Sequence, residues 1–287
     1  MAFRPFLVFV LLSVFACSAP AQDRFFDSGG VRIRYVDHGA GAPVVLVHGF
    51  TGSIERSWID TDVLPDLARD YRVIAFDLRG HGKSDKPHDP MAYEDLAVDV
   101  IRLMDHLKLQ QAHLVGYSLG GIILAKLLTT HPARFASAVL GGAAYRRSQG
   151  EDADRATEAA AREIEAGLYR ALVVSTAPTD EPPPDEDAIR RRSREISRES
   201  DLLAHAALMR ARRALLVTDA EIAAVRVPAL AVVGSADPAA PRVKAMPKRW
   251  PGLEVEVVDG AAHPTVHARG LPRSREFAAA IRRHIAR

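Results

Sequence analysis

Hydrophobic residues form short runs along most of the chain, and each run has the length of a buried β-strand. One segment, Val31–Asp37, alternates apolar and polar residues, as a half-buried strand does. The other runs are almost continuously apolar, which is typical of strands in a parallel sheet covered by helices on both faces. We predict strands over Val31–Asp37, Val44–Val47, Arg72–Leu78, His113–Tyr117, Ala138–Leu140, Ala229–Gly234 and Leu253–Val258.

Segments with helical periodicity lie between these strands. Apolar residues recur every three or four positions over 93–108, which predicts an amphipathic helix. A second helix is predicted from Ser118 to Thr130, ending before Pro132, and a C-terminal helix from about Arg273 to Ala286. This alternation of strands and helices predicts an α/β fold with right-handed crossovers.

The composition changes between about residues 144 and 226, which are rich in Arg, Glu and Ala. Pro178 and the run Pro182-Pro183-Pro184 interrupt this stretch. We predict a helical insertion in at least two pieces, 151–174 and 186–217, because proline cannot continue a helix. The parallel strand pattern resumes after it.

The first twenty-one residues have the pattern of a secretory signal peptide. Arg4 is followed by an apolar run from Phe6 to Ala16 and then by small residues. The run is too short to span a bilayer, which needs roughly 20 helical residues. We therefore predict export to the periplasm or the medium. One alternative is a lipoprotein anchored through Cys17, and an uncleaved anchor is a third.

The overall composition is that of an ordinary globular protein. The 287 residues are 48% hydrophobic and 26% charged, which excludes a disordered or collagen-like chain. A net charge of +2 gives no global field that would favour nucleic acid, so a small-molecule partner is expected. The only cysteine, Cys17, lies in the leader, so we expect neither a disulfide nor a cysteine-ligated metal in the folded part.

The segment Gly116-Tyr117-Ser118-Leu119-Gly120-Gly121 lies where a predicted strand gives way to a helix. It matches G-x-S-x-G, the pattern of a nucleophile on a sharp turn with strained backbone angles and crowded neighbours. The turn exposes the Ser118 hydroxyl beside the start of the helix, whose free N–H groups favour negative charge. Ser118 is therefore the predicted nucleophile.

A serine hydroxyl needs a base and an acid that orients the base. Asp237 and His263 follow two later strands, in the order Ser, acid, His that this architecture uses. We assign them as the acid and the base. His267 competes with His263 as the base, and Asp259 lies on the wrong side of the histidine.

An oxyanion hole requires two N–H donors. We assign one to Leu119, which follows the nucleophile, and one to Phe50, in the loop His48-Gly49-Phe50-Thr51-Gly52 after the second predicted strand. His48 is expected to shape this loop, and a role for it as the base is the less favoured alternative.

Together these motifs resemble the α/β-hydrolase fold superfamily. The resemblance rests on HGF at 48–50, DLRGHGKSD at 77–85, GYSLGG at 116–121, GSADP at 234–238 and the late His263. It implies an eight-stranded, mostly parallel sheet flanked by helices. With the leader at 1–21 set aside as the predicted signal peptide, it also implies a core of residues 22–143 and 220–287 and a helical cap at 144–219. By the same resemblance Asp77 and Arg79 belong to the scaffold.

The resemblance implies a serine hydrolase that forms an acyl-enzyme and uses no cofactor. We expect an exported carboxylic-ester hydrolase acting on a small-molecule ester or acyl substrate. Hydrolysis of a carbon–carbon bond, lactone or amide, or cofactor-free perhydrolysis, would use the same residues. A member of the fold that binds a ligand without turnover is a further alternative.

Other motifs are weaker. Gly82-Lys83-Ser84 resembles the end of a phosphate-binding loop, but Asp77 stands where that loop needs glycine. A zinc site at His263 and His267 is disfavoured, because Pro264 lies between them and the H-E-x-x-H pattern is missing. The arginines at 190–194 are typical of a solvated helix face. The alternative is that they form the rim of a site for an acidic substrate.

Overall fold

The computed structural model describes residues 23–147, 150–264 and 270–287. The predicted leader, Cys17 and His267 lie outside these residues. The described residues form one eight-stranded sheet with the spatial order β1-β2-β4-β3-β5-β6-β7-β8. Its strands are β1 (Arg24–Asp27), β2 (Arg32–His38), β3 (Pro43–Val47), β4 (Arg72–Phe76), β5 (Ala112–Tyr117), β6 (Phe135–Gly141), β7 (Ala229–Gly234) and β8 (Leu253–Val258).

The sheet is mostly parallel, as predicted. All neighbouring pairs from β4 across to β8 are parallel, while β2 pairs antiparallel with both β1 and β4. Strand β1 was not predicted as a segment, because its sequence RFFD buries only Phe26 and carries no apolar run. Its pairing with β2 places it at the edge of the sheet.

Both faces of the sheet are covered, and strand β3 shows how. Val44 and Leu46 pack on one face with helices α1 (Val63–Leu67) and α10 (Arg275–Ile285). Val45 and Val47 pack on the other face with α2 (Val98–His106) and α3 (Leu119–Thr130). Two further short helices, α8 (Asp219–Ala223) and α9 (Ala240–Ala245), also contribute to that second layer. A strand buried on both faces explains why its sequence is apolar throughout.

Two predicted helices begin later than their periodicity suggested. Helix α2 starts at Val98, since Pro90–Tyr93 forms a separate 3-10 turn, in which the Asp89 side chain accepts the Met91 N–H. The C-terminal helix starts at Arg275, where the Ser274 hydroxyl accepts a hydrogen bond from the Phe277 N–H. Helix α3 begins and ends as predicted.

Five α-helices lie between β6 and β7 in the described residues, and we call the first four of them the helical insertion. These four are α4 (Glu151–Glu165), α5 (Arg170–Thr176), α6 (Glu186–Ser197) and α7 (Leu202–Ala211). The two predicted pieces are therefore each divided. Gly167, with φ of +77°, lies between α4 and α5, and Asp201 caps the start of α7. Across the parts of the chain that the structure describes, no helix is both long and apolar enough to cross a bilayer.

Candidate active site

Ser118 occupies a sharp turn between β5 and α3. Its backbone angles, φ of 52° and ψ of −113°, lie in a region that residues with a side chain rarely adopt. The Ser118 N–H donates to the Gly141 carbonyl at 2.8 Å, and the Ser118 carbonyl accepts the Ile122 N–H at 3.1 Å. The neighbouring strand and the helix thus hold the strained residue in place.

Glycine is required on both sides of Ser118. A Cβ at Gly116 would lie 2.6 Å from the Gly120 carbonyl carbon, and a Cβ at Gly120 would lie 2.0 Å from the Val47 carbonyl oxygen. Both approaches involve backbone atoms, which cannot swing aside as a long side chain can. Gly116 therefore lets the start of α3 approach β5, and Gly120 lets it pack against β3.

Three side chains meet at this turn. The Ser118 hydroxyl donates to His263 Nε2 at 3.0 Å, and His263 Nδ1–H donates to Asp237 Oδ2 at 2.8 Å. Asp237 follows β7 and His263 follows β8, so the carboxyl ends of three parallel strands supply the group. An imidazole in this position can accept the serine proton while the carboxylate fixes its tautomer.

The surroundings hold Asp237 and His263 in these orientations. Asp237 is 1% exposed, and its second oxygen accepts the Ala239 N–H at 2.7 Å. The Tyr117 hydroxyl donates to the His263 carbonyl, and the two rings lie with centroids 5.4 Å apart. Burial raises the pKa of Tyr117 well above its usual value, so it stays protonated as a donor. The sequence pattern did not single out Tyr117.

The competing acid, Asp259, has a different partner. Asp259 is exposed and accepts a hydrogen bond from Ser235 at 3.1 Å, in the turn after β8. The other candidate for the base, His267, falls outside the described residues. Within those residues, His263 is the histidine that contacts both Ser118 and Asp237.

The two assigned oxyanion donors lie beside Ser118. Leu119 is the first residue of α3, where backbone N–H groups have no partner within the helix. Phe50 lies in the turn after β3, which is closed by a 3.0 Å hydrogen bond from the Gly52 N–H to the Gly49 carbonyl. A Cβ at Gly49 would lie 3.2 Å from the Ser118 Cβ, so this turn approaches the serine closely.

His48 is a structural residue of that turn. Its Nε2 accepts the Leu78 N–H at 3.0 Å, and its Nδ1–H donates to the Gly49 carbonyl at 2.8 Å. The ring is fully buried, and burial lowers its pKa. Both nitrogens are occupied, so this ring has no free position for taking a proton from a substrate or from Ser118.

Asp77 and Arg79 also have structural partners. The Asp77 carboxylate accepts hydrogen bonds from the backbone N–H groups of Ile54 and Lys83 and from the Arg34 side chain. Arg79 pairs with the buried carboxylate of Asp99, with 2.7 Å between Nε and Oδ2. Both hold loops of the core together, as the resemblance implied.

A cavity of about 490 Å³ opens above Ser118 and His263. The core supplies its floor, including Phe50, and the helical insertion supplies its walls. Its apolar wall residues include Leu172, Val173 and Ile196. A volume of this order is typical of sites for small molecules.

Two arginines of the 190–194 run line the same cavity. Arg192 pairs with Glu195 at 2.7 Å. Arg191 is exposed, and no ion-pair or hydrogen-bond partner for its guanidinium is found among residues 23–147, 150–264 and 270–287. Helical periodicity alone could not show that this part of the run faces a cavity.

An aromatic cluster joins the insertion to the core beside this cavity, and no pattern in the sequence predicted it. His205 of α7 packs against His81 and Phe50 of the core, with centroids 4.5 Å and 4.8 Å away. The Tyr169 hydroxyl and His205 Nδ1 are hydrogen-bonded at 2.8 Å. Burial lowers the pKa of His205 to about 3, so the imidazole is neutral near neutral pH. We call Phe50, His81, Tyr169 and His205 the aromatic cluster.

Comparison with known proteins agrees with this geometry. A family model described as the alpha/beta hydrolase fold matches residues 42–267. The chain is 38% identical over 129 residues to the 2-hydroxymuconate semialdehyde hydrolase of Pseudomonas sp. (strain CF600). That match covers 44% of this chain and 45% of the relative, so the chain spans less than half the length of this curated relative.

Two solved structures resemble the whole fold. The enol-lactonase from Burkholderia xenovorans LB400 superposes with a TM-score of 0.72 at 23% identity, covering 92% of this chain and 100% of that one. A structure described among the carboxylesterases of the Thaumarchaeon Nitrososphaera gargenis gives a TM-score of 0.69 at 25% identity, covering 92% and 98%. The family model spans most of the chain, and the chain belongs to the α/β-hydrolase fold family.

Proposed function

We propose that this hydrolase is a serine hydrolase that cleaves a carboxylic ester through an acyl-enzyme. The observation that carries the proposal is the continuous hydrogen-bond chain from the Ser118 hydroxyl through His263 to the buried Asp237. This chain lies at the floor of a cavity of the size of a small molecule. A nucleophile, a base and an orienting acid within hydrogen-bond reach form the arrangement that nucleophilic catalysis requires.

In the proposed first half-reaction, Ser118 Oγ attacks the carbonyl carbon of the ester and its proton moves to His263 Nε2. Asp237 stabilises the imidazolium through the Nδ1–H bond. The N–H groups of Phe50 and Leu119 donate to the oxyanion of the tetrahedral intermediate. His263 then protonates the alcohol oxygen as it leaves, and an acyl group remains on Ser118.

In the second half-reaction, water replaces the alcohol. His263 takes a proton from the water, and the resulting hydroxide attacks the acyl carbon. The intermediate collapses as Ser118 Oγ regains the proton from His263, which releases the carboxylic acid. The cycle leaves the protein unchanged and consumes one ester and one water.

The cavity walls support an acyl substrate. Leu172, Val173 and Ile196 offer apolar surface for an acyl chain. One solved neighbour, 25% identical over nearly the whole fold, is described among carboxylesterases, which supports the ester as the bond that is cleaved.

A second candidate is hydrolysis of another acyl bond in a negatively charged substrate. Arg191 favours it, because its guanidinium lies in the cavity wall, has no partner among the residues that the structure describes, and can bind a carboxylate. The named relatives include a 2-hydroxymuconate semialdehyde hydrolase and an enol-lactonase, which extends the choice to carbon–carbon and lactone bonds. Assays of matched neutral and anionic esters, lactones and ketones would separate these substrates.

Labelling with a fluorophosphonate probe tests the mechanism. We expect the purified protein to be labelled, and we expect Ser118→Ala to abolish the labelling. Ser57→Ala is the matched control, because Ser57 also lines the cavity but does not contact His263. A folded wild-type protein that ignores the probe would be a ligand-binding member without turnover, and labelling retained by Ser118→Ala would place the nucleophile elsewhere.

We also propose that the protein is exported. The pattern of residues 1–21 supports a cleaved leader, and Cys17 supplies the lipoprotein alternative. Mass spectrometry of the mature N-terminus in the native host distinguishes them: a start near Gln22 supports secretion, and a lipidated Cys17 supports anchoring. An intact N-terminus beginning at Met1 or Ala2 would overturn the cleaved leader.

A further inference from the structure

A second cavity lies where the chain leaves the core for the helical insertion and returns from it. Its volume is about 360 Å³. Arg146 and Arg147 line it from the outgoing connection after β6, and Arg210, Arg212 and Arg213 line it from the returning end of α7. The two connections touch there, since the Val217 N–H donates to the Arg146 carbonyl at 2.9 Å.

The carboxylates in this cavity are already paired with other arginines. Asp154 pairs with Arg213 at 2.9 Å, and Glu158 pairs with Arg210 at 2.9 Å. Glu151, the third acidic residue in the lining, lies 3.5 Å from Arg155, one turn along α4. These three carboxylates are therefore paired with other arginines, and they do not neutralise Arg146 or Arg212.

Arg146 and Arg212 have no anionic partner in the described part of the chain. The Nε of Arg146 is shielded from solvent and makes no hydrogen bond. Among the described residues, the one hydrogen-bond acceptor of the Arg212 guanidinium is the sulfur of Met209, at 2.9 Å, which is a weak acceptor. A buried donor without a partner destabilises the folded protein, and a charged donor does so more strongly.

The two charges also act on each other. Burial, followed by the positive charge of Arg146, lowers the pKa of Arg212 to about 10. Burial and the nearby Arg242 lower the pKa of Arg146. Two partly buried guanidinium groups that repel each other are stabilised when an anion lies between them, because planar guanidinium groups bind oxyanions through paired hydrogen bonds.

We propose that this second cavity is a binding site for a small organic oxyanion, held by Arg146 and Arg212. The cavity is larger than a bare phosphate or carboxylate needs, so the anionic group belongs to a small molecule that also fills the remaining space. A ligand here bridges both connections of the helical insertion and stabilises its position on the core. The site is separate from the cavity above Ser118.

Isothermal titration calorimetry at constant ionic strength tests the proposal, with inorganic phosphate and citrate as the probes. We expect saturable binding of citrate, tighter than that of phosphate, because citrate fills more of the cavity. Phosphate bound as tightly as citrate would contradict the choice of an organic oxyanion. Arg146→Gln and Arg212→Gln should each weaken binding about tenfold or more. Arg191→Gln is the matched control, because it removes the same charge from the first cavity and should leave the affinity unchanged.

Thermal unfolding without ligand gives an independent measurement. At low ionic strength we expect Arg146→Gln and Arg212→Gln to be at least as stable as the wild type, because each removes one of two repelling charges. A clear loss of stability would mean that the guanidinium already has a partner in the protein, and would overturn the proposal. Absence of binding by both anions, or unchanged binding in both variants, would overturn it equally.

Discussion

The sheet and the helical insertion hold their side chains in place by different means. In the sheet, Ser118 is fixed by backbone contacts, including the 2.8 Å bond to Gly141 and the close approach of Gly120 to β3. In the insertion, much of the contact between helices is made by ion pairs on or near the surface, such as Arg210 with Glu158. Exposed ion pairs contribute little to stability and are screened by salt.

This difference separates two tasks. Catalytic groups need positions fixed to within a fraction of an ångström, and contacts between backbone atoms supply that. The walls of a substrate cavity tolerate more variation, and the insertion packs its own small apolar cluster around Ile164, Tyr169 and Met209. We therefore expect substitutions in the two regions to differ in size and in kind.

The largest expected effect is on catalysis. Ser118→Ala should lower kcat for an ester roughly 10⁴- to 10⁶-fold while leaving the melting temperature nearly unchanged. Arg210→Gln, in the insertion, should change kcat less than severalfold, because it removes two ion pairs near the surface, to Glu158 and Glu165. Steady-state assays with a chromogenic ester check both. A loss in Arg210→Gln as large as that in Ser118→Ala would break the distinction between the two regions.

The next effect is on stability. Gly120→Ala places a methyl group against the Val47 carbonyl and should lower the free energy of unfolding by about 3 kcal/mol or more. Gly167→Ala in the insertion is the control. There φ is positive but the nearest atom is 3.7 Å from the added Cβ, so the cost should be about 1 kcal/mol. Urea unfolding measures both, and equal losses would contradict the prediction.

A smaller effect concerns pH and the aromatic cluster. Folding holds the pKa of His205 at about 3 instead of 6.5, so between these values only the unfolded chain binds the proton. Stability should therefore be complete above pH 6.5 and fall as the pH is lowered from 6.5 towards 3, with a contribution of a few kcal/mol. His205→Gln removes this contribution, so its unfolding free energy should change less between pH 8 and pH 4 than that of the wild type.

His131→Gln, at the end of α3, is the control for this pH dependence. It should keep the full wild-type dependence, because His131 lies outside the aromatic cluster. His81 is buried in the same cluster with a lowered pKa, so part of the acid sensitivity should persist in His205→Gln. If the unfolding free energy of His205→Gln falls between pH 8 and pH 4 by as much as that of the wild type, the cluster does not lower the pKa of His205.

The smallest effect concerns substrate charge. Arg191→Gln should lower kcat/KM for an anionic ester about tenfold and leave a neutral ester of equal length unaffected, because one charge-assisted hydrogen bond is lost. Arg190→Gln is the matched control, since its neighbour Arg191 lines the cavity and Arg190 does not. Equal effects of both variants would indicate that the positive charges of the helix act on the substrate at long range, without a direct contact from Arg191.

The core was predictable because its residues meet local requirements. Buried strands must be apolar, and the turn at Ser118 needs glycine on either side, so both leave a pattern in the sequence. Asp237 and His263 could be assigned because each directly follows such a strand. Strand β1 left no pattern, since an edge strand with one buried residue needs none.

The insertion was less predictable because its arrangement depends on distant pairs. Its four helices could not be counted from composition, since short breaks at Gly167 and Asp201 lie inside stretches that are otherwise favourable to helix. Nor could the sequence show that Arg191 faces one cavity and Arg212 another. Those positions depend on how the helices are docked on the core, and His205 takes part in that docking from the far end of the insertion.

The bond from the Tyr117 hydroxyl to the His263 carbonyl ties the loop after β8 to strand β5, which lies three strands away in the sheet. Tyr117 is also the residue next to Ser118. We therefore expect a thermal displacement of β5 to move Ser118 and His263 in the same direction. The 3.0 Å gap between Ser118 Oγ and His263 Nε2, which the proton crosses in the proposed mechanism, would then vary less than the position of either residue.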